Sequence, residues 1–474
     1  MSSLVLGHKM VTHNNSIANL SRGVGERVLY TNRSLVPPIK PRRGVIERRL
    51  ASYRETIVRG IGWQSAVAPE VFVGFYNGPR RLIYQRAVES LRLLAVNPKD
   101  ARLKTFVKAE KHNLDIKSDP VPRVIQPRDP RYNVELGCFL RPLEHKLYAE
   151  IDKLFESPTI MSPYNAFRQA KELKVQWDKF SKPICVGLDA SRFDQHVSTE
   201  ALKFEHSVYN SVFKSKKLRR LLQMQLKNFG TARASDGKFR YEVLGSRMSG
   251  DMNTSMGNKL LMCLMAKSYI DSLGFKCGFV NNGDDCLLFL EKDNESKLSG
   301  LSKYFKEFGF NIKIEDAVSE FEHIEFCQTS PVCSNGVWRM VRNVKTCMSK
   351  DVTCVNLGHN VLEYRRLLKD IGSCGLATAA DVPVLGAFYR MLQRFGVDGN
   401  YTGKYDTEFN YYKLSSRNAL CMYSEPDAYG RYSFWKSTGI SPDAQVEIEG
   451  YFNSSVWGGD KRQLIDFNLR ALIW

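Results

Sequence analysis

Two carboxylate sites, each at the end of an apolar run, constrain this chain more than any other feature. Ile184-Cys-Val-Gly-Leu188 reads as a short buried strand ending at Asp189, and Asp194 follows in Asp189-Ala-Ser-Arg-Phe-Asp194. Downstream, Phe279-Val280 and Cys286-Leu-Leu-Phe-Leu290 read as two strands of a hairpin. An Asn-Gly turn within Asn281-Asn-Gly-Asp284 joins them, so the tip presents Asp284 and Asp285. Apolar strands that run up to carboxylates demand a packed sheet with acids at one end. The surrounding pattern is mixed α/β. Ser198-Thr-Glu opens a helix with Ala201, Phe204, Val208 and Val212 on one face, and Met252 to Ile270 reads as a long helix.

Gly283-Asp284-Asp285 on its own is also what an ordinary turn looks like, and Asp189 on its own could cap a helix, since Ser191 follows. Together the two sites suit divalent cations. Mg²⁺ takes hard oxygen ligands, commonly one or two carboxylates plus substrate phosphates. Two ions held by Asp189, Asp284 and Asp285 would serve nucleotidyl transfer, one at the attacking hydroxyl and one at the leaving pyrophosphate.

Ser249-Gly-Asp-Met-Asn-Thr-Ser-Met-Gly-Asn258 adds a polar loop and helix start. Thr254 and Asn258 share a helix face, and Gly250 frees the loop before them. With Asp194 and Ser249 they form a cluster able to bond a ribose hydroxyl, the group that separates RNA from DNA. A Ser-Gly turn and a solvated acid paired with Arg192 is the plainer reading. The stretch Lys108 to Arg131 holds Lys108, Lys111, Lys117, Arg123, Arg128 and Arg131 among four prolines. Proline disfavours helix, so this is an extended ribbon, either a solvated face or the lining of a channel for triphosphate and template. Lys214 to Arg220 is basic without catalytic context and reads as a solvated face. Lys313 follows the hairpin as a candidate general acid to pyrophosphate or a surface strand lysine. Phe326-Cys327-Gln328 reads as a second tight hairpin, either core or a grip on nascent strand.

Charge agrees with a polyanionic partner. Lys and Arg total 69 against 50 Asp and Glu, a formal +19. Eleven cysteines without a Cys-x-x-Cys pair fit neither a disulfide scaffold nor a zinc ribbon. No apolar run approaches the length of a membrane span; Leu260 to Ala266 is too short. Residues 1 to about 50, with Val36-Pro-Pro-Ile-Lys-Pro-Arg-Arg43, read as an extended arm. Residues 51–98 read as helical, 100–131 as strand and loop, and the region after 345 as mainly helical, for example Val361 to Asp370 and Val384 to Phe395.

These strings resemble the RNA-dependent RNA polymerases of the tombusvirus family of positive-strand plant RNA viruses. Further resembling segments are His13-Asn-Asn-Ser16, Arg22-Gly-Val-Gly-Glu-Arg27, Phe106-Val-Lys-Ala-Glu-Lys111, Pro122-Arg-Val-Ile-Gln-Pro-Arg128, Arg131-Tyr-Asn-Val-Glu-Leu-Gly137 and Leu188 to Val197. The likeness is good over about residues 10 to 360 and weaker in the tail. It implies an α+β right-hand fold of fingers, palm and thumb, encircled by finger–thumb connections. The expected division is 1–183 arm and fingers, 184–345 palm with a fingers insertion at about 214–245, and 346–474 helical thumb and tail. It implies metal at Asp189, Asp284 and Asp285, either Mg²⁺ or Mn²⁺, two ions per site. Asp194, Ser249, Thr254 and Asn258 then select the nucleotide, and Arg123, Lys108 and Lys117 line the triphosphate channel. Lys111, Arg128, Arg131, Gly78, Gly250 and Cys327 are expected along the RNA, with Gly78 in Tyr76-Asn-Gly-Pro-Arg80 guiding template.

The implied partners are RNA template and product and ribonucleoside triphosphates, and the resemblance leans toward de novo initiation. Replicases of this family carry a membrane-anchoring region ahead of the polymerase. The expectation is therefore attachment to host membranes, in the cytoplasm, through a viral anchoring protein or an upstream extension, with self-association as a further option. A reverse transcriptase is disfavoured, because an acid stands at Asp194 where such enzymes place an aromatic gate, and Gly-Asp-Asp replaces Tyr-x-Asp-Asp. A non-catalytic RNA-binding protein is disfavoured by carboxylates that would only repel phosphate.

Overall fold

The computed structural model describes residues 2–3, 10–31, 35–354, 360–399 and 421–457; the expected tail beyond them lies outside the described residues. A four-stranded antiparallel sheet stands at the centre, in the order Ile312–Ile314, Pro183–Ala190, Asp285–Glu291, Gly278–Asn282. Its strands are apolar on both faces because both faces are covered. Ile184, Val186, Leu188, Cys286, Leu288 and Leu290 pack into the main core with the helices Val45–Ile61, Pro130–Leu154, Thr199–Phe213 and Thr254–Leu273. Cys185, Leu287 and Phe289 face Trp177, Phe321 and Phe326 on the other side. Helix Thr254–Leu273 is buried on most of its circumference, as a central helix must be, and Gly274 at φ +70 ends it. Ser198 caps Thr199–Phe213 by accepting from the Ala201 amide, as the sequence predicts.

The predicted hairpin forms, with its turn moved by one residue. Asp285 pairs with Asn282, so Gly283-Asp284 is the two-residue turn rather than Asn-Gly. The Asn281 side chain bonds both the amide and the carbonyl of Gly283, at 3.0 and 2.7 Å, while Asn282, the asparagine expected in the turn, stays in the strand. Gly283 takes φ +89, which favours glycine. The shift matters: it puts Asp285 in the strand and Asp284 on the tip.

A second four-stranded sheet runs Val124–Ile125, Leu103–Val107, Lys227–Ala234, Gly237–Leu244. Its inner face carries Leu103, Val107, Val124 and Ala232 against Leu20, Val24 and Val28. That contact overturns the reading of residues 1–50 as an extended arm. Ile17–Val24 is an α-helix that continues into a π-turn at Gly25–Leu29, and Val45 already begins the next helix. Ser16 caps the first helix, and its apolar stripe was hidden in a polar, arginine-rich composition. The prolines do keep residues 35–41 free of helix.

On the inner face Gly230 lies opposite Tyr241, whose ring occupies the space a side chain would need; a Cβ at Gly230 would stand 2.1 Å from ring carbon Cζ. The ring cannot swing aside cheaply, since its hydroxyl bonds Thr105 at 2.8 Å and Gln126 at 2.7 Å. Gly230→Ala should therefore destabilise the chain by about 1–3 kcal/mol. Thermal melting checks this, and the same change in a Tyr241→Ala background should cost little.

A third core gathers the helices Val361–Ala379, Leu385–Phe395, Ala428–Thr438 and Pro442–Ser454, in line with the helical pattern of the sequence after 345. The N-terminal Ser2–Ser3 strand pairs with Thr353–Cys354 beside it.

Candidate active site

Strand register assembles the acids. Asp285 lies directly opposite Asp189, and Lys313 lies opposite Asp189 on its other side. Partners across an antiparallel pair point to the same face, so Asp285, Asp189 and Lys313 form one row. All three are exposed, at the end of the face whose deeper part is filled by Leu287 and Phe289. Asp284, on the turn, is on the wall of a cavity of 540 Å³. Partial loss of water pushes the Asp284 carboxyl up from the usual range, and the charges of Asp194 and Asp189 push it further. Asp285 is raised by the same loss of water and by Asp284 and Asp189. Mutually repelling carboxylates at one strand end are a place where cations are favoured.

Among the described residues no three His, Cys, Asp or Glu side chains are gathered closely enough to hold a metal ion by themselves. The donors nevertheless suit Mg²⁺ or Mn²⁺. They are all hard carboxylate oxygens, and they stand beside a cavity where phosphates could complete the ligand set.

Opposite Asp284 the same cavity holds the polar cluster that the spacing predicts. The Asp194 carboxylate accepts from Ser249 Oγ at 2.8 Å and from Asn258 Nδ2 at 2.7 Å. Arg192 is not its partner; that side chain reaches the carbonyls of Glu26 and Thr31 instead. Thr254 also lines the cavity, but its hydroxyl donates to the Met248 carbonyl at 3.0 Å, which fixes the loop. Gly250 takes φ +135, and a Cβ there would stand 3.0 Å from the Pro127 nitrogen. Only glycine lets this loop lie against the ribbon, where Gln126 N–H donates to Ser249 O at 2.7 Å.

Behind the cluster lies a layer that the sequence did not announce. Arg247 donates to Asn258 Oδ1 at 3.1 Å and forms a fully buried ion pair with Glu205. Glu205 also accepts from Asn253 at 2.6 Å and Tyr209 at 2.9 Å. This buried network holds Asn258 in one orientation, although one terminal nitrogen of Arg247 is left without a hydrogen-bond partner. Glu205 sits on the predicted apolar helix, and nothing in its spacing marks it.

Cations line the same cavity, among them Arg27, Arg123 and Arg192. Burial lowers Arg27 to about 10, and the charges of Arg123 and Arg192 lower it further. Three guanidinium groups that repel one another invite an anion. Arg27 and Arg192 went unassigned in the sequence; the resembling string ending at Arg27 was the available signal.

The rest of the basic ribbon is divided. Arg123 and Lys108 share Glu110 at 3.1 and 2.6 Å; Arg123 lines the cavity and Lys108 does not. Lys117 and Gly78 are exposed away from the cavity, Gly78 at the start of helix Gly78–Leu93. Three expected RNA contacts are corrected. Arg128 is buried and bonds Asp251 at 2.5 Å, Ala101 O and Asn228. Lys111 is buried and donates to the carbonyls of Lys350 at 3.0 Å and Thr353 at 2.8 Å. Arg131 closes on Asp100, Ser90 and the Leu94 and Ala95 carbonyls. In each case acceptors within the chain take up a cation that would otherwise be free for phosphate, Arg128 and Lys111 in the interior and Arg131 half-buried. Cys327 forms the predicted tight turn, with φ +53 and a Phe326–Thr329 bridge. Its sulfur takes a bond from Asn282 at 3.1 Å, and loss of water and Asp285 push its thiol up to about 12. It buttresses the carboxylate hairpin. Lys214 to Arg220 falls largely on a short helix away from the cavity, where Lys217 pairs with Glu135.

The model of a family described as viral RNA dependent RNA polymerase matches residues 1–456. The chain belongs to this family. Its fold is accordingly the right-hand polymerase fold, of α+β class. Relatives include the RNA-directed RNA polymerase of Turnip crinkle virus, 44% identical over 450 residues, covering 93% of this chain and 58% of that protein. The enzyme of the same name from Maize chlorotic mottle virus is 42% identical over 451 residues, covering 93% and 46%. That of Tomato bushy stunt virus (strain Cherry) is 40% identical over 446 residues, covering 93% and 54%. The chain thus spans about half the length of the curated relatives it matches.

Proposed function

We propose that this chain catalyses RNA-templated RNA synthesis, replicating a positive-strand viral genome from ribonucleoside triphosphates. The observation that carries the reading is the register pairing of Asp189 with Asp285, with Asp284 on the wall of a cavity that Arg27, Arg123 and Arg192 also line. Arg123, Arg27 and Arg192 bind and orient the triphosphate, Arg being suited to bidentate phosphate contact. Asp189, Asp284 and Asp285 hold the metal ions. Two divalent ions bound there would activate the 3′-hydroxyl and neutralise the leaving pyrophosphate. Lys313, in the same row as Asp189, protonates the pyrophosphate as it leaves. Asp194, held by Ser249 and Asn258, reads the sugar.

In this reading residues 1–183 supply the fingers, with helix Ile17–Val24 in place of the expected arm, 184–345 the palm with a fingers insertion at about 214–245, and 346–474 the thumb and tail. Finger–thumb closure is supported by the Ser2–Ser3 pairing with Thr353–Cys354 and by Lys111 on the carbonyls of Lys350 and Thr353. Among the described residues no helix is long and apolar enough to cross a membrane. Membrane attachment in the infected cell is assigned to a viral anchoring protein or to sequence upstream.

Purified chain, incubated with a short RNA template, labelled ribonucleotides and Mg²⁺ or Mn²⁺, should yield template-length product, and a chelator should stop it. Folded protein that binds RNA without making product would favour a non-catalytic role, and product from deoxyribonucleotides alone would favour reverse transcription. Arg123→Ala should raise the KM for nucleotide about tenfold with a smaller change in kcat, since it removes one cation from ground-state phosphate binding. Steady-state kinetics at fixed template check this.

A further inference from the structure

The second sheet is packed on one face and bare on the other. Alternation along its strands sends Leu103, Val107, Val124 and Ala232 inward, so Phe106 and Phe229 must point out. Phe106 is 44% exposed and Phe229 47% exposed. They stand on neighbouring strands, about 13 Å apart along the strand direction. Around them the outer face carries Lys104, Lys227, Arg233, Lys238 and Arg240 against one carboxylate, Glu242. Lys104 is held by Asp129 at 3.0 Å and Lys227 by Glu242 at 2.7 Å. Arg233, Lys238 and Arg240 are exposed, with no carboxylate partner among the described residues. Arg233 and Lys238 even lie directly opposite each other, an arrangement that costs stability unless an anion answers it. This face is separate from the catalytic cavity: none of Phe106, Phe229, Arg233, Lys238 and Arg240 lines it.

We propose that this outer sheet face is a second RNA site, a platform for single-stranded RNA outside the catalytic cavity. Phe106 and Phe229 stack on bases, and Arg233, Lys238 and Arg240 take the adjoining phosphates. The spacing favours RNA over the other anionic surfaces. A membrane-binding face gathers its apolar side chains into one patch, whereas here the two rings are set apart with cations beside and between them. Lys227 lies 5.2 Å from the Phe229 ring centre, so that ring already sits beside a cation that can reach an incoming phosphate. The platform would hold template or product near the cavity without entering it, and it does not depend on any catalytic step.

The test uses the full chain and a fluorescent single-stranded RNA of about 20 nucleotides, long enough to leave a cavity and cross a sheet. Anisotropy without nucleotides should show that Phe106→Ala with Phe229→Ala weakens binding about 10- to 100-fold. Arg233→Glu with Arg240→Glu should weaken it too and lower the slope of log affinity against log salt by about 1.4. RNA carrying 4-thiouridine should crosslink to the peptides containing Phe106 and Phe229 in the parent chain. Affinity unchanged in both double variants, with no such crosslink, overturns the proposal. So does unchanged RNA affinity together with lost binding to phosphatidylserine vesicles, which reassigns the face to a membrane. Because binding is read without nucleotide, a chain that fails to polymerise leaves this test intact, and the two readings fall separately.

Discussion

Asp284→Asn should lower RNA synthesis by about a thousandfold or more while RNA binding survives, and Asp189→Ala should do the same. The reason lies in the register. Asp189 and Asp285 face each other across one strand pair, and Asp284 occupies the turn at its end. In the proposed two-ion mechanism each of these carboxylates supplies a ligand, and removing one leaves the ion pair short of a hard oxygen donor. RNA affinity should be unchanged or slightly higher, since the lost charge repels phosphate. Stability separates this reading from a structural one. The Asp284 carboxyl is raised in the folded chain by lost water and by Asp194 and Asp189, so its ionised form opposes folding at neutral pH. Metal-free Asp284→Asn should then melt no lower than the parent at neutral pH. Any gain should fade as pH falls below the ordinary carboxylate range, where the parent aspartate is protonated in both states. A variant that loses synthesis and also melts well below the parent would assign Asp284 to the fold.

What could be read from the sequence follows a physical line. Asp189, Asp284 and Asp285 were legible because each ends or joins an apolar run, and period-two burial leaves little freedom in where a strand stops. Asp194, Ser249 and Asn258 were legible because helical spacing puts Asn258 near the loop that carries Ser249. The basic ribbon was legible only as a total. Arg123 reaches the cavity, whereas Arg128 is buried on Asp251 and Lys111 on two carbonyls. All three are cations in one extended stretch, and only the distant acceptors distinguish them. Asp251 and Thr353 lie far along the chain, and no local pattern encodes such a meeting. The helix Ile17–Val24 was hidden for a related reason: its short apolar stripe makes sense only with the sheet that covers it. Arg27 enters the cavity from that same segment. The turn register moved because the Asn281 side chain bonds its own loop, a local competition that the Asn-Gly signal does not reveal.

Asp194→Ala should narrow the preference for ribonucleotides over deoxyribonucleotides by about a hundredfold, mainly by lowering ribonucleotide efficiency. Reaction at phosphorus does not touch the 2′ position, so discrimination needs polar groups of its own. Asp194 has the right chemistry and mounting. Ser249 and Asn258 each donate to one of its oxygens, and Arg247, buried on Glu205, holds Asn258 from behind. The carboxylate is thus fixed in orientation, yet its oxygens keep lone pairs free to accept from a hydroxyl in the cavity. A site built this way penalises a sugar that lacks the hydroxyl, because the acceptor is desolvated and left without a donor. Removing the acceptor removes that penalty, so deoxyribonucleotide efficiency should change little. Asp194→Asn is the sharper comparison. It keeps the size of the side chain but turns an NH₂ group toward either Ser249 or Asn258, both of which donate in the parent. Single-nucleotide incorporation with each substrate gives the two kcat/KM values for each variant. Parallel losses for both sugars would mean that Asp194 holds the loop at Ser249 or steadies Asp284, and that sugar choice is made elsewhere on the cavity wall.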